Sequence, residues 1–591
     1  MRIFPALACL LFTLALAHPA ASQDNGRAMY DRLLARPGVK ASNERITGIV
    51  VPHHAPALGL AVTALSLANG RTINRVIILC PDHYHRSLAP FAVTDRDFET
   101  PYGLVRTDRQ AAAALLADPD VGRSTLFDHE HGVNILLPLV SAFFPKAAIV
   151  PIAGKITATP AECERLAATL AKLVTPETLI ILSADFSHHQ TQAAARRFDQ
   201  QSLCVLAQND PKAVLALGQP ENVDTVAMLY VQTLLQKRLS ATFTALSNQD
   251  TTEITGRPVP EPARPVDRAT SYIAGVWRPT KGPTLPLPGV AGQRIVFAGD
   301  TFFGRLLAPA LANPTKRAAL ARHVKELTGG APLIVNLEGV LAQKCPPPAS
   351  DRQLCMEAGP ALALLKELNV KWAGLANNHI QDLGPQAYDR MKTLLRQAKI
   401  DVLEKNTVTD LGALKVAAFT TLENGKTRAE TAIGARELAV LDADALETAS
   451  GGANAANQTR QPVATVDAAN QAPTSPGRAN AANETPHKPL AVFVHWGQEW
   501  VVEPEPGQLH LYDAFREKGS TLVIGAHSHR PGVFVCGAGG CLASSLGNFV
   551  FDQTRPVAGG MLVEATIFPR GTWFARPIPA GNLGGEILKN R

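Results

Sequence analysis

The feature that most constrains this chain is a set of short β-branched runs that each stop at histidine or acid. VVPHH closes at His53 and His54, VIILCPDHYH at His83 and His85, and LIILSADFSHH at Asp185, His188 and His189. From Gly48 to Trp277 such runs alternate with Ala/Leu-rich amphipathic segments, a pattern that predicts an α/β layered domain. In open α/β sheets ligands gather at the C-terminal ends of the strands, where loops converge. One histidine at a strand end is ordinarily a hydrogen-bonded loop residue. Histidines at three strand ends, joined by His129, Glu130 and His131 of DHEHG, predict a shared site instead. Neutral imidazoles with an adjacent carboxylate are the ligand set of divalent first-row metals, and Asp185 or Glu130 would be a ligand or the partner of one.

A second series follows the Pro- and Gly-dense stretch RPTKGPTLPLPGVAGQ, which predicts a linker over 279–293. In order it reads FAGDTFFGR (Asp300, Arg305), VNLEG (Asn336, Glu338), LANNHIQDLG (Asn377, Asn378, His379, Asp382), FVHWGQEW (His495, Glu499), VIGAHSHRP (His527, His529) and SSLGNFVFD (Asn548). Each polar cluster again ends a strand-like run. Acid, amide and imidazole groups arriving from successive strands are what a two-metal hydrolase needs: carboxylates and an asparagine hold the cations, imidazoles complete the shells, and a further histidine protonates a leaving group. Simpler roles stand beside these. Trp496 and Trp500 are core aromatics or walls of a groove beside His495, and Asp382 and Asp552 are helix caps, loop anchors or site groups.

Length sets the frame for both series. At 591 residues the chain exceeds one ordinary core; the usual domain size suggests about three or four units at most, and two large domains also fit it. A hydrophobic share of 46% with 18% charged residues is that of a globular protein, and a net charge of +6 without a basic, aromatic-interleaved block argues against nucleic acid as partner. Arg2, the apolar run Ile3 to Ala17 and the small residues Ala20, Ala21 and Ser22 predict a signal peptide over 1–22, cleaved near Ser22 or Gln23, and hence a periplasmic or secreted chain. No other run approaches the ~20 apolar residues of a membrane span. Cys345 with Cys355, and Cys536 with Cys541 around the turn-forming GAGG, pair as local disulfides in preference to a zinc site, since neither pair has the C-x-x-C spacing. The tract 448–489, where ANAANQT is echoed by ANAANET, lacks aromatic and aliphatic runs and predicts a disordered insertion.

The motifs of the first half, PHH, PDHYH, TPYGLVRTD, EHGVNILLPLV, VPI, SADFSHH and SYIAGVW, resemble in order those of the Memo family, also called AmmeMemoRadiSam system protein B. That family is related to extradiol dioxygenases of the LigB type. The resemblance implies a three-layer α/β domain over 45–278. It implies a metal site at His53, His83 and His188 with His131 and Asp185 beside them, and iron or copper as the metal. His54, His85 and His189 fall where the family pattern requires no histidine, and SNQD at Ser247 to Asp250 makes Asp250 a lining residue.

The order Asp300, Glu338, Asn378–His379, His495, His527-x-His529 resembles the calcineurin-like phosphoesterases. The wording NLEG, ANNH-x-x-D-x-G, HWG-x-E, P-x-x-x-Q, IGAHSH and SLGNF-x-FD is closer still to the CapA family of capsule or poly-γ-glutamate biosynthesis proteins. This second resemblance implies an αββα metallophosphatase-like domain over 294–570. Its metal ligands would be Asp300, Glu338, Asn378, His495, His527 and His529, holding manganese, zinc or iron. His379 would be the general acid, supported by Asn378, and Arg305 would bind an anionic group. Glu338 stands where phosphoesterases carry Asp, and Phe302 where they carry a histidine. The function expected is a metal-dependent hydrolase or transferase acting on an anionic envelope polymer or phosphoester. The rival is a metal-holding scaffold that tethers polymer or a partner during export, which Phe302 favours and the Asn378–His379 pair opposes.

Overall fold

Alternation along the strands of the first half sends neighbouring side chains to opposite faces, and each face is closed by its own helices. Val50, Ile77, Leu79, Ile180 and Leu182 pack with Leu166 and Leu170 of helix Pro160–Ala171 and Leu229 and Leu235 of helix Val226–Arg238. Ile49, Val51, Ile78, Leu179 and Ile181 pack on the other side with helices Leu58–Ala68 and Leu137–Phe143. The result is the three-layer α/β arrangement expected of a period-two pattern buried on both faces. The described residues of this computed structural model are 19–36, 39–42, 44–256, 269–280, 287–350, 352–423, 433–450, 488–537, 540–553 and 558–589. Most of the expected signal peptide and of the expected insertion, residues 1–18 and 451–487, lies outside them.

The first sheet has eight strands in the order Val121–Arg123, Phe91–Val93, Ala148–Gly154, Arg75–Pro81, Thr178–Ser183, Gly48–Val51, Ser271–Pro279, Ala241–Asp250. Arg75–Pro81, Thr178–Ser183 and Gly48–Val51 are adjacent and parallel. The loops bearing His83, Asp185 and His53 therefore leave one edge of the sheet side by side. The domain also reaches back before residue 45, because helix Pro19–Leu34 buries Tyr30 and Leu33 in the second of the two cores, where the Tyr30 hydroxyl donates to the carbonyl of Ile135 at 2.9 Å.

In the second half two sheets face each other. One runs Asp401–Leu403, Val370–Gly374, Leu333–Leu337, Gln293–Thr301, Met561–Ile567, Trp573–Pro579, with Asn548–Val550 also paired to Gln293–Thr301. The other runs Thr407–Asp410, Lys415–Thr420, Leu490–His495, Leu522–Ala526, Gly540–Ala543, Phe534–Gly537. Ile295, Phe297 and Ile334 of the first meet Val416, Phe493 and Ile524 of the second in a shared core. Their alternate neighbours Val296, Val335 and Leu337 pack outward under helices Pro314–Thr328 and Ala358–Glu367, and Ala417, Phe419 and Val492 under helix Pro506–Glu517. This is an αββα sandwich. It continues past residue 570, where the expected boundary falls, because strand Trp573–Pro579 completes the sheet and helix Leu583–Lys589 buries Leu583 and Leu588 beneath it.

The hairpin between strands Met561–Ile567 and Trp573–Pro579 joins the halves. Phe568 and Phe574 belong to the core of the first domain, with the Phe574 ring 5.7 Å from that of Phe243. Between them, buried Arg570 forms an ion pair with Asp199, and the Thr572 hydroxyl donates to Asn248 at 2.6 Å. Gln200 accepts from the backbone N–H of Trp573 at 2.9 Å and donates to its carbonyl at 3.0 Å. Burying each phenylalanine stabilises the junction by about 1.5–3 kcal/mol.

Both expected disulfides are present. Cys345 is bonded to Cys355, and Cys536 to Cys541 across a directly opposed strand pair. Cys80, Cys163 and Cys204 are buried free thiols. Among the described residues no helix is long and apolar enough to cross a membrane.

Two candidate metal centres

The parallel strand ends of the first domain bring His53 and His83 together with Nε2 atoms 3.1 Å apart. The Nδ1 of His83 is held by Glu130 at 2.6 Å, which aims its Nε2 at the common point. Glu130 also caps the short helix that begins at His131 by accepting from the Gly132 N–H, so one buried carboxylate positions two imidazoles. Donor atoms of His53, His83 and His131 lie within 4.8 Å of one another, and the His131 side chain is 45% exposed at the mouth. Asp185 stands next to them, accepting from the His53 backbone N–H at 3.1 Å with its other oxygen 3.6 Å from His53 Nε2.

Two points differ from the expected ligand set. His188 lies outside this close group, half-buried and near enough to Asp224 to help hold its carboxyl below the usual range. Asp224, which carried no strand-end signal, instead places its carboxylate 3.1 Å from His53 Nε2 and 3.9 Å from His83 Nε2. It comes from the loop before helix Val226–Arg238, and its main chain is tied to the metal-site loop where the Asp224 N–H donates to the Asp185 carbonyl. His54 bonds to the hydroxyl of Tyr272, His189 is exposed, and Asp250 caps helix Thr251–Thr255. Burial alone would push the His53 imidazole down, but Asp185 and Asp224 raise it to about 9. The pocket field thus favours a cation.

The second centre is built in the same way from two sheets. Asp300 ends strand Gln293–Thr301, Asn336 and Glu338 end Leu333–Leu337, and Asn377, Asn378 and His379 follow Val370–Gly374. His495 ends Leu490–His495, and His527 and His529 follow Leu522–Ala526. Glu338 belongs to two overlapping groups whose donor atoms lie within 4.8 Å, one with His495 and His527 and one with Asp300 and His529. The Asn378 side-chain oxygen is 2.9 Å from His495 Nε2. The centre therefore assembles the whole expected donor set around one shared carboxylate, the arrangement of a two-cation site.

Three observations test whether cations fit. Glu338 Oε2 is buried without a hydrogen-bond partner, as is Asp224 Oδ1 at the first centre; buried polar atoms are otherwise almost always satisfied. Burial and the charge of Asp300 push the Glu338 carboxyl up to about 7, the signature of acidic groups lacking a compensating charge. Burial and the imidazoles of His527 and His529 hold His495 well below its usual range, leaving it the neutral donor that coordination requires. Both donor sets fit divalent cations. His527 and His529 also sit at φ 98° and 56°, a left-handed conformation that costs about 1–3 kcal/mol per residue and that the packing around the site imposes.

The groups around the centre have separate tasks. Asp382 holds His379 Nδ1 at 2.8 Å, leaving Nε2 facing Glu338 at 3.8 Å. Burial opposes charge on His379, and the bond to Asp382 outweighs it and raises its pKa. Arg305, expected to meet an anionic group, makes a bidentate ion pair with Asp552 at 2.9 and 2.6 Å. Phe302 is fully buried against Phe551, a core residue where phosphoesterases place a ligand. Trp496 is likewise core, donating to the Ser544 carbonyl, whereas half-buried Trp500 lies with its ring 5.7 Å from His529 and walls the site.

Gly299 permits the bulge that turns Asp300 toward the centre: a Cβ there would lie 1.9 Å from the carbonyl oxygen of Gly547. Gly299→Ala is expected to lower the melting temperature and the metal bound per chain together, read by calorimetry and elemental analysis. Unchanged metal content would refute that placement.

Two α/β domains, each crowding imidazoles and carboxylates at the C-terminal ends of its strands, define a tandem of candidate metal-binding domains. Residues 18–248 match the family described as Memo-like protein, and residues 294–553 the family described as bacterial capsule synthesis protein PGA_cap. The chain is thus a Memo-like domain fused to a PGA_cap domain. The first is 27% identical over 164 residues to a MEMO1 family protein of Thermotoga sp. (strain RQ2), covering 27% of this chain and 59% of the relative. It is 24% identical over 239 residues to a MEMO1 family protein of Saccharolobus solfataricus, 38% of this chain and 80% of the relative. The second is 35% identical over 92 residues to the capsule biosynthesis protein CapA of Bacillus anthracis, 15% of this chain and 22% of the relative. The matches thus span under two thirds of the Thermotoga protein and under a quarter of the Bacillus one.

Proposed function

We propose that the chain acts in making or processing an anionic envelope polymer of the capsule or poly-γ-glutamate kind, with the PGA_cap domain as a metal-dependent hydrolase or transferase. The observation that carries this reading is the Glu338-centred pair of donor groups with the His379–Asp382 pair beside it. Bound divalent cations would supply Lewis-acid polarisation of an acyl or phosphoryl oxygen. Asp300, Glu338, Asn378, His495, His527 and His529 would hold them. His379, oriented through Nδ1 by Asp382, gives its Nε2 proton to the leaving group. Trp500 limits access of water and substrate from the His529 side.

The Memo-like domain adds a second metal site, formed by His53, His83 and His131 with Asp224 and Asp185, for iron or copper. Its role in the same pathway is proposed from the fusion. Export to an oxidising compartment is supported by the two disulfides. A second reading, a non-catalytic scaffold that holds metal and tethers polymer, draws on Phe302 replacing a ligand.

Metal content per chain and turnover of poly-γ-glutamate and of a generic phosphodiester separate the two. Chelation is expected to abolish turnover and lower thermal stability, and manganese, zinc or iron to restore both. Full metal occupancy without turnover of either substrate would leave the scaffold.

A further inference from the structure

The hairpin that joins the domains also roofs a cleft away from both metal centres. The cleft, of about 480 Å³, is lined by Arg196 and Arg197 from helix Gln192–Gln208 of the first domain, by Lys415, Lys488 and Lys518 from the second, and by Arg570 of the hairpin. These six cations face it without one aspartate or glutamate in its lining. A second hollow of about 520 Å³ shares Lys488 and Gly571 with it, so the two lie side by side at the domain boundary. Lys415 and Leu490 stand at the first residues of strands whose far ends carry Thr420 and His495. At about 3.3 Å per residue, the cleft lies about 17 Å along those strands from the second metal centre.

Like charges gathered in a concave boundary cost free energy unless anions are supplied. Aspartates supply part of this from the rim: Asp410 pairs with Lys488, and Asp442 with Lys518 at 2.7 Å. Arg197 is exposed, while Arg570 Nη2 is taken by Asp250 at 3.4 Å. Lys488 and Lys518 each take a single rim carboxylate, exchangeable for another, whereas Arg570 is committed to Asp199, Asp250 and Glu253 of the junction. The chain's own tract 451–487, which ends beside Lys488, carries Asp467 and Glu484 against Arg460 and Arg478, so it is no polyanion.

We infer that this cleft binds a linear polycarboxylate, holding several successive side-chain carboxylates while the strand-end centre acts elsewhere on the chain. The choice of polymer rests on the function proposed above; the cationic cleft does not.

The test is binding of fluorescently labelled poly-γ-glutamate to the full chain, by anisotropy at low and high salt, with inorganic polyphosphate and free glutamate as further probes. Arg197→Gln/Lys415→Gln is expected to weaken polyglutamate binding at least tenfold, while turnover of a small phosphodiester is unchanged. Added salt should weaken binding in the intact chain, and His379→Ala should leave it intact. Equal affinity in the double variant, absence of polyglutamate binding in the intact chain, or binding of polyphosphate alone would each overturn the inference. Small-substrate turnover reports separately on the metal centre, so loss of one reading does not masquerade as loss of the other.

Discussion

Arg570→Met is expected to destabilise the chain by about 3–5 kcal/mol, because it strands a fully buried carboxylate. Asp199 accepts on one oxygen from Ser187 at 3.0 Å and Ser271 at 2.6 Å, and on the other from Asn248 at 2.8 Å and from Arg570. Without the guanidinium, Asp199 keeps its hydrogen bonds and loses its countercharge. Chemical denaturation followed by tryptophan fluorescence measures the loss. Arg570→Met/Asp199→Asn should recover part of it, since the double change removes the Asp199 charge together with its partner, while Asp250 and Glu253, 3.4 and 3.6 Å from the guanidinium, still lose theirs. An unshifted midpoint in the single variant would disprove the pairing. Ser187, which donates to Asp199, is two residues past Asp185 of the Memo-like centre, so metal bound there is expected to fall in the single variant and rise again in the double.

His379→Gln is expected to reduce turnover by about 10²- to 10⁴-fold with metal content preserved, the range for loss of a positioned general acid. Asp382→Asn should produce a smaller loss in the same direction, because it leaves the imidazole in place but removes the acceptor that fixes its Nδ1 proton. Substrates with leaving groups that need no proton should suffer least in both variants. Equal losses on good and poor leaving groups would remove the acid role from His379. Full activity of His379→Gln would end the hydrolase reading in its present form.

Much of this arrangement was legible in sequence because strand ends are. His53, Asp300, His495 and the His527–His529 pair each follow an uninterrupted apolar run, His83 follows one after a single aspartate, and parallel strands deliver such ends to one edge. Period-two burial also made the αββα layering readable, as in Ile295 and Phe297 against Val296 and Ala298. Asp224 was hidden because it belongs to a loop ahead of a helix, where an aspartate reads as a cap; the tertiary approach of that loop to His53 has no local signature. His188 shows the converse, a strand-end histidine that the turn after Asp185 carries out of the close group. Arg570 and Asp199 were also unreadable, since nothing on a helix surface or in a hairpin turn marks a partner in another domain.

The junction bears on the order in which the chain is made. Arg570 and Asp199 are 371 residues apart, and Phe568 and Phe574 fill the core of a domain translated long before them. During vectorial synthesis the N-terminal half must wait with an uncompensated acid and an open apolar seam until the last hairpin arrives. Completion of the first domain is therefore a late, whole-chain event, and the two halves share a single folding checkpoint even though their metal centres are separate.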